Sequence, residues 1–267
     1  MHLNTNRSGI IKNLKNKTPL LAFRFHVVVV LSTLIVVSLI AGCGKKPVVP
    51  LNKRTQSVVL LHGLFRSANS MDAMEHALIE AGYETCNVNY PSTDFDIATL
   101  AKEYVLPEIQ QCAIASDSVH VVTHSMGGII LRYLHSKGDL DNVGRVVMLG
   151  PPNQGSELVD ELGGLDLFTW LNGPAGNELA TSDTSLVQQL PDVSFGLGII
   201  AGDYSFNPFY SSLIPGDDDG KVSVDRAKIA GMNDFIVMPV SHSFMMKDED
   251  VIRQTLYFLA KGQFDVN

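Results

Sequence analysis

The stretch from Val119 to Gly128, VHVVTHSMGG, contains the residue of this sequence that is best placed to act as a nucleophile. Its apolar first half predicts a buried strand, and the small residues after Ser125 predict the start of a helix. A sharp turn between a strand and a helix lifts a serine hydroxyl above the sheet, beside backbone N–H groups that can stabilise an oxyanion. The stretch therefore predicts acyl-transfer chemistry at Ser125. The alternative is a serine that only caps the helix.

His242 is the candidate general base for this serine. It follows the predicted strand Phe235–Val240 and is the only one of eight histidines that comes after the acidic segment GDDDGKVSV at 216–224. A histidine in this role needs a carboxylate to hold its tautomer. Asp219 and Asp203 are both candidates for that carboxylate. The acidic segment could also be a solvated loop or a Ca²⁺ site, because hard cations favour clustered carboxylates.

These candidates require a sheet whose strands end at one common edge. Short apolar or alternating runs predict strands, and runs with helical spacing lie between them. The predicted strands are 57–61, 84–90, 119–123, 145–149, 195–201 and 235–240, and the predicted helices are 71–81, 97–112, 129–135 and 248–259. Strands that alternate with helices predict a mainly parallel sheet of about six strands, covered by helices on both faces. Each candidate residue then lies just after a strand, where ligands bind in such sheets.

Charge is divided unevenly along the chain. The first 42 residues contain five basic residues and no acidic residue, whereas the remainder contains 15 basic and 28 acidic residues, a net charge of −13. The remainder of the chain is too acidic to offer the basic surface that binds a polyphosphate backbone, so nucleic acid is not an expected partner.

The N-terminal segment predicts export. An uncharged run of 15 residues, Val27–Ala41, follows the five cations and ends in LIAGC at 39–43. A basic region, a short apolar region and small residues form a signal peptide, and these last residues resemble a bacterial lipobox. The resemblance implies a signal peptide over 1–42, lipidation of Cys43, a tether over 43–55 and a domain over 56–267. Gly44 after the cysteine favours the outer membrane, facing the periplasm. The alternative is an uncleaved anchor, which usually needs about 20 apolar residues.

Cys86 and Cys112 remain as an even pair. In an oxidising periplasm they could form a disulfide, and two buried free thiols are the equal alternative.

The domain resembles the α/β-hydrolase superfamily, and within it the small bacterial lipase and esterase group. Six segments carry the resemblance: Leu60–Met71, Ala81–Pro91, Val119–Gly128, Leu149–Ser156, Asp219–Val224 and Val240–Met246. Thr123 departs from the Gly-x-Ser-x-Gly pattern at its first position, where small residues are tolerated in some lipases. In this fold the order is serine, acid, histidine, which the chain follows.

The resemblance implies roles for individual residues. Asp219, in an Asp-Gly-x-Val arrangement similar to the lipase acid turn, is preferred to Asp203 as the acid. The loop LLHGLFR at 60–66 is similar to the His-Gly loop, so the backbone N–H of Leu64 should form the oxyanion hole with that of Met126. We interpret His62 and His124 as structural. No cofactor or metal ion is implied.

The substrate is the least determined feature. About 45 residues separate the strand 145–149 from the next predicted strand, 195–201. Apolar residues between Leu165 and Leu171 resemble a small helical cap over an acyl-binding cleft, within about 156–192. A helix packed on the core is the alternative. We expect hydrolysis of lipid-like carboxylic esters. A thioesterase or deacylase, an acyltransferase and a non-catalytic envelope lipoprotein are the other possibilities.

Overall fold

The computed structural model describes residues 56–266 except 115, 117, 141 and 164–172. The predicted signal peptide, Cys43, the tether and the apolar segment of the predicted cap all lie outside the described residues. None of the helices within the described part of the chain is long and apolar enough to cross a membrane.

A single parallel sheet organises the domain. Its six strands lie in the order β2-β1-β3-β4-β5-β6, and all neighbouring pairs are parallel. The strands are β1 (Ser57–Leu61), β2 (Glu84–Val88), β3 (Val119–His124), β4 (Val143–Leu149), β5 (Gly196–Gly202) and β6 (Asp234–Met238). All residues of β1 and β3 are buried, as expected for central strands covered on both faces. The predicted α/β fold is confirmed.

Helices cover both faces of this sheet. The longer ones are α1 (Asp72–Glu80), α2 (three consecutive parts, Ile97–Thr99, a π-helical Leu100–Val105 and Leu106–Ala113), α3 (Met126–Ser136) and α8 (Glu249–Lys261). Short helices are α4 (Glu157–Leu162), α5 (Leu186–Gln189), α6 (Pro208–Ser211) and α7 (Val224–Ala227), with single 3₁₀ turns at Ala68–Met71 and Met245–Lys247.

The alternation of side chains along β1 divides the core into two halves. Val59 and Leu61 pack with α2 and α3 on one face, whereas Val58 and Leu60 pack with α1 and α8 on the other. Successive side chains of a strand point to opposite faces, so each face of the sheet has its own apolar layer. Both layers hold the carboxyl ends of the strands in a fixed position.

Several predicted boundaries differ from the structure by one to three residues, and two of these differences have a physical reason. The strand predicted over 235–240 ends at Met238, because Pro239 has no N–H to continue the ladder. The helix predicted from Ile129 begins at Met126. Its two glycines have low helix propensity, but they permit the close packing of the first turn that is described below.

The region between β4 and β5 is partly described. Its described residues form α4, a helical stretch at 173–177 and α5, joined by turns. Leu158, Val159 and Leu179 of this region line a cavity beside Ser125. The cap therefore stays a prediction, although its described part lies where a cap over a cleft would lie.

Cys86 of β2 and Cys112 of α2 form a disulfide, with their Cα atoms 6.4 Å apart. The bridge ties an edge strand of the sheet to the helix that covers it. The sequence left the pair open, and the structure joins it.

Candidate active site

Ser125 lies on a strained turn between β3 and α3. Its backbone has φ +55° and ψ −125°, a region that non-glycine residues rarely adopt. The Ser125 N–H donates to the carbonyl of Leu149 at 2.9 Å, and the Ser125 carbonyl accepts from the N–H of Gly128 at 2.9 Å. These two bonds hold the strained residue between β4 and the first turn of α3. The strand, the sharp turn and the helix thus follow one another around Ser125.

Two glycines allow the turn to pack against the end of β1. A Cβ atom on Gly127 would lie 2.7 Å from the carbonyl oxygen of Leu61 and 2.8 Å from that of His62. A Cβ atom on Gly63 would lie 3.0 Å from the Cβ atom of Ser125. The turn can therefore approach the neighbouring strand only because these positions have no side chain.

The structure brings Ser125, His242 and Asp219 into one hydrogen-bonded row. The Oγ atom of Ser125 lies 2.9 Å from Nε2 of His242, and Nδ1 of His242 lies 2.8 Å from Oδ2 of Asp219. All three residues are buried. A carboxylate only accepts hydrogen bonds, so Nδ1 carries the ring proton and the neutral Nε2 accepts from the serine hydroxyl. This is the arrangement in which a histidine can remove the serine proton.

The turn 217–222 fixes the carboxylate. Oδ1 of Asp219 accepts from the backbone N–H groups of Lys221 at 3.0 Å and Val222 at 2.8 Å, and the carbonyl of Asp219 accepts from the N–H of His242 at 2.9 Å. The acid and the base are thus joined through both side chain and main chain. Asp203, the competing candidate, is exposed, and the Nδ1 atom of His242 is already occupied by Asp219.

Asp218, a second acidic residue of this turn, has a structural role. The carboxylate of Asp218 is buried and accepts from the hydroxyl of Ser211 at 2.8 and 2.9 Å and from the N–H of Gly220 at 2.7 Å. Within the described ranges, no group of three or more His, Cys, Asp or Glu residues could hold a metal ion.

The predicted oxyanion donors are both backbone N–H groups without an acceptor in the described part of the chain. Among the described residues, the backbone N–H groups of Leu64 and Met126 donate to no backbone or side-chain atom. Leu64 follows β1, and Met126 follows Ser125 at the start of α3. Leu64 is half-buried and Met126 is buried, and both residues lie beside the serine hydroxyl, so their N–H groups are available to a ligand oxygen.

His62 and His124 are buried beside this row. His62 stacks on Tyr90, with ring centroids 3.9 Å apart, and the Tyr90 hydroxyl donates to the carbonyl of His62. Nε2 of His124 lies 2.9 Å from the carbonyl oxygen of His242. Burial lowers the pKa of His62. Burial, followed by the charges of His242, Arg66 and His62, lowers the pKa of His124 well below its ordinary value, against a hydrogen bond to His242 that raises it.

The comparisons with known proteins come from structure alone: no protein-family model matches the sequence, and no curated protein matches it either. The mature lipase BlEst2 of Bacillus licheniformis superposes with a TM-score of 0.64 at 21% identity, over 80% of this chain and 96% of that one. The phospholipase PlaB of Legionella pneumophila gives a TM-score of 0.58 at 18% identity, over 77% of this chain and 58% of that one. A protein from Listeria innocua gives 0.52 at 17% identity, over 80% of this chain and the whole of that one. This chain has the α/β-hydrolase fold.

The Pro-Pro-Asn-Gln-Gly-Ser turn after β4 is anchored by hydrogen bonds from two helices. The buried guanidinium of Arg132, on α3, donates to the carbonyl of Asn153 at 2.7 Å and to that of Leu190 at 3.2 Å. The side-chain amide of Asn153 donates to the carbonyl of Ala227 at 2.8 Å. The turn is therefore held to both α3 and α7, and it places Pro152 and Ser156 at the wall of the site.

A cavity of about 320 Å³ opens beside Ser125 and His242. Most of its described lining is apolar, with two cationic side chains among it: Leu64, Phe65, Arg66, His124, Pro152, Ser156, Leu158, Val159, Leu179, Lys221 and Val222. Sites for small organic ligands typically occupy roughly 300–1,000 Å³ and are mostly apolar. The cavity is thus large enough for a ligand whose reacting atom lies at the Ser125 hydroxyl.

Two features of this candidate site were not predictable from the sequence. Arg66 and Lys221 belong to segments that the sequence singled out, but nothing in their spacing places them in one cavity. The bond from His124 to the carbonyl of His242 joins residues 118 positions apart. Neither relationship leaves a local pattern.

Proposed function

We propose that this chain is a serine hydrolase that cleaves lipid-like carboxylic esters through an acyl-enzyme on Ser125. The observation that carries the proposal is the row of two hydrogen bonds, 2.9 Å from Ser125 to His242 and 2.8 Å from His242 to Asp219. In this proposal Asp219 is the triad acid, His242 the base and Ser125 the nucleophile.

The first half of the reaction forms the acyl-enzyme. Oγ of Ser125 attacks the ester carbonyl carbon, while its proton passes to Nε2 of His242. Asp219 stabilises the resulting imidazolium and keeps its Nδ1–H in place. The carbonyl oxygen becomes an oxyanion that accepts from the N–H groups of Leu64 and Met126. When the C–O bond breaks, His242 returns the proton to the leaving alcohol.

The second half releases the acid. A water molecule gives a proton to Nε2 of His242 as its oxygen attacks the acyl carbon, and the same two N–H groups hold the second oxyanion. The bond to Oγ then breaks, Ser125 regains the proton from His242, and a carboxylic acid leaves. No cofactor takes part in this sequence.

Two observations support a lipid-like acyl group. The described wall of the cavity includes apolar side chains from the loop after β1, from α4 and from Leu179, and these would cover a hydrocarbon chain. Two of the structurally similar proteins are described as a lipase and a phospholipase. We expect a p-nitrophenyl ester series to peak at a chain longer than acetate.

The experiment compares wild-type protein with Ser125→Ala on that series and on matched thioesters. We expect the variant to fold and to lose activity by about 10⁴-fold or more. A fluorophosphonate probe should label the wild type only, since it needs an activated serine. Full activity of Ser125→Ala would disprove the mechanism, and absent labelling would favour a non-catalytic role. Faster thioester cleavage, or acyl transfer to an added alcohol, would assign the same site to a different leaving group or acceptor.

We also propose that Cys43 carries a lipid anchor that places the domain at the periplasmic face of the outer membrane. The support is the sequence of the N-terminal 43 residues. Labelled palmitate should be incorporated into the wild type and not into Cys43→Ala, and the variant should leave the membrane fraction. Membrane retention of an unlabelled wild type would indicate an uncleaved anchor instead.

A further inference from the structure

Two cations line the cavity beside the candidate nucleophile. Arg66 lies on the loop after β1, two residues after Leu64, and Lys221 lies two residues after Asp219. Both side chains are exposed and both contribute to the wall of the cavity that contains Ser125 and His242. They therefore flank the reacting atoms from two different loops, at the solvent side of the cavity.

Neither cation is held in a salt bridge within the described structure. Neither side chain has an ion-pair partner among the described residues. Asp219 is the nearest carboxylate to Lys221 in sequence, but its two oxygens already accept from His242 and from the backbone of residues 221 and 222. Lys221 also faces the ring of Tyr210, 5.9 Å from its centroid. Burial lowers the pKa of Lys221, the charge of Asp219 raises it and the charge of Arg66 lowers it, so Asp219 offsets part of the positive charge without forming a salt bridge.

This local excess of positive charge runs against the rest of the domain. Residues 56–267 contain 11 basic and 28 acidic residues, a net charge of −17. Even so, the described lining of the cavity includes two cations and no acidic residue. If charged residues were placed in the lining according to the composition of the domain, acidic residues would outnumber basic ones in the cavity wall. The two cations therefore give the described wall of the cavity a local positive charge, which favours an anionic group beside them.

We infer that Arg66 and Lys221 form an anion-binding subsite, and that the preferred ester carries a phosphate or carboxylate group close to the bond that is cleaved. The inference deepens the proposed ester hydrolysis and rests on it. A guanidinium binds phosphate or carboxylate oxygens through two parallel hydrogen bonds, and an ammonium adds a mobile donor. The apolar part of the wall then holds the acyl chain while the two cations hold the charged group.

The test uses two pairs of esters, and in each pair one member carries an anionic group that the other member does not have. One pair is 1-butyryl-glycerol 3-phosphate and 1-butyryl-glycerol, which places the charge on the alcohol side. The other is p-nitrophenyl hemiglutarate and p-nitrophenyl valerate, which places it on the acyl side. At low ionic strength we expect kcat/KM to be about tenfold higher for the anionic member of at least one pair, and salt should reduce the difference. The pair that discriminates identifies which side of the ester carries the charge.

Variants assign the preference to the two cations. Arg66→Gln and Lys221→Gln should each reduce the ratio of kcat/KM between the anionic and the neutral ester by about fivefold, whatever their effect on the neutral ester itself. Arg66→Lys keeps the charge and should retain part of the preference. Lys137→Gln, at an exposed position outside the described wall of the cavity, is the control and should change neither ester. Circular dichroism and thermal unfolding check that every variant is folded.

Binding separates failure of this subsite from failure of the proposed reaction. Calorimetric titration of Ser125→Ala with the two butyryl esters measures charge preference without turnover. Stronger binding of the phosphate ester that is lost in Ser125→Ala/Arg66→Gln supports the subsite, even where no ester is hydrolysed. Equal rates within both pairs, together with equal binding, overturn the subsite and leave ester hydrolysis standing.

Discussion

Nε2 of His124 lies 2.9 Å from the main-chain carbonyl oxygen of His242, across 118 residues of sequence. The depressed pKa of His124 keeps its ring neutral. Since a carbonyl only accepts, Nε2 carries the proton and donates it, which leaves Nδ1 as a buried atom without a hydrogen-bond partner in the described structure. His124, which directly precedes the nucleophile, is thus hydrogen-bonded to the backbone of His242, the candidate base.

The first prediction follows from this bond. His124→Ala should lower kcat for ester hydrolysis by about tenfold with little change in KM, because the loop that carries His242 loses a buried donor and a packed ring. His124→Gln can place an amide N–H near the same carbonyl and should restore part of the rate. Rescue by Gln is the outcome that a purely space-filling role would not give, and equal activity of the Ala and Gln variants would contradict the prediction.

The second prediction separates the two candidate acids. Asp219→Asn should lower kcat by about 10⁴-fold, because an amide that accepts and donates can hold His242 in the wrong tautomer. Asp203→Asn, at an exposed position, is the matched control and should retain wild-type activity. Ester turnover at neutral pH measures both. If Asp203→Asn lost activity and Asp219→Asn kept it, the role of triad acid would belong to Asp203 and not to Asp219.

The fold was predictable from the sequence because its determinants are local. The apolar run 119–123 and the glycines after Ser125 dictate a strand, a turn and a helix within ten residues. In a parallel sheet the ends of such strands lie at one edge, so the row of Ser125, His242 and Asp219 could be anticipated as a juxtaposition. Its distances, and the choice between Asp203 and Asp219, depend on how the loops after β5 and β6 fold.

The remaining features depend on packing between distant segments. The pairing of Cys86 with Cys112 requires α2 to lie across β2, and the charged wall of the cavity requires the loops after β1 and β5 to meet. Neither produces a periodicity or a spacing in the sequence. Composition even points the wrong way for the cavity, since the domain as a whole is acidic.

The third prediction concerns the close approach of α3 to β1. Gly127→Ala should lower the free energy of unfolding by about 2 kcal/mol or more and reduce activity, since its methyl group would overlap the carbonyl oxygens of Leu61 and His62. Gly196→Ala is the control, because its Cβ atom would meet nothing nearer than 3.8 Å. Urea unfolding measures both, and equal midpoints would contradict the steric argument.

The fourth prediction concerns the disulfide. Cys86 and Cys112 close a loop with a sequence separation of 26 residues, for which the chain-entropy model gives about 3.5 kcal/mol of stabilisation. A reducing agent should therefore lower the urea midpoint of the wild type, and the double variant Cys86→Ser/Cys112→Ser should not respond to it. Activity below the transition should persist, since the bridge lies at the β2 edge of the sheet. The domain can also be unfolded without a reducing agent and its free thiols titrated. Detection of two free thiols would show that Cys86 and Cys112 do not form the bridge.

The fifth prediction is a loss of stability in mild acid that originates in a buried histidine. Burial, with a contribution from the Arg145 charge, lowers the pKa of His120 to about 4, against a hydrogen bond from the Arg145 N–H that raises it. Below pH 6.5 the unfolded chain binds a proton at His120 and the folded chain does not, so stability falls as the pH is lowered towards 4. The slope from this residue approaches about 1.4 kcal/mol per pH unit. His120→Asn keeps an acceptor for the Arg145 N–H and cannot titrate, so its unfolding free energy should fall less steeply between pH 6.5 and 5 than that of the wild type. Parallel curves for the two proteins over that interval would show that His120 does not contribute.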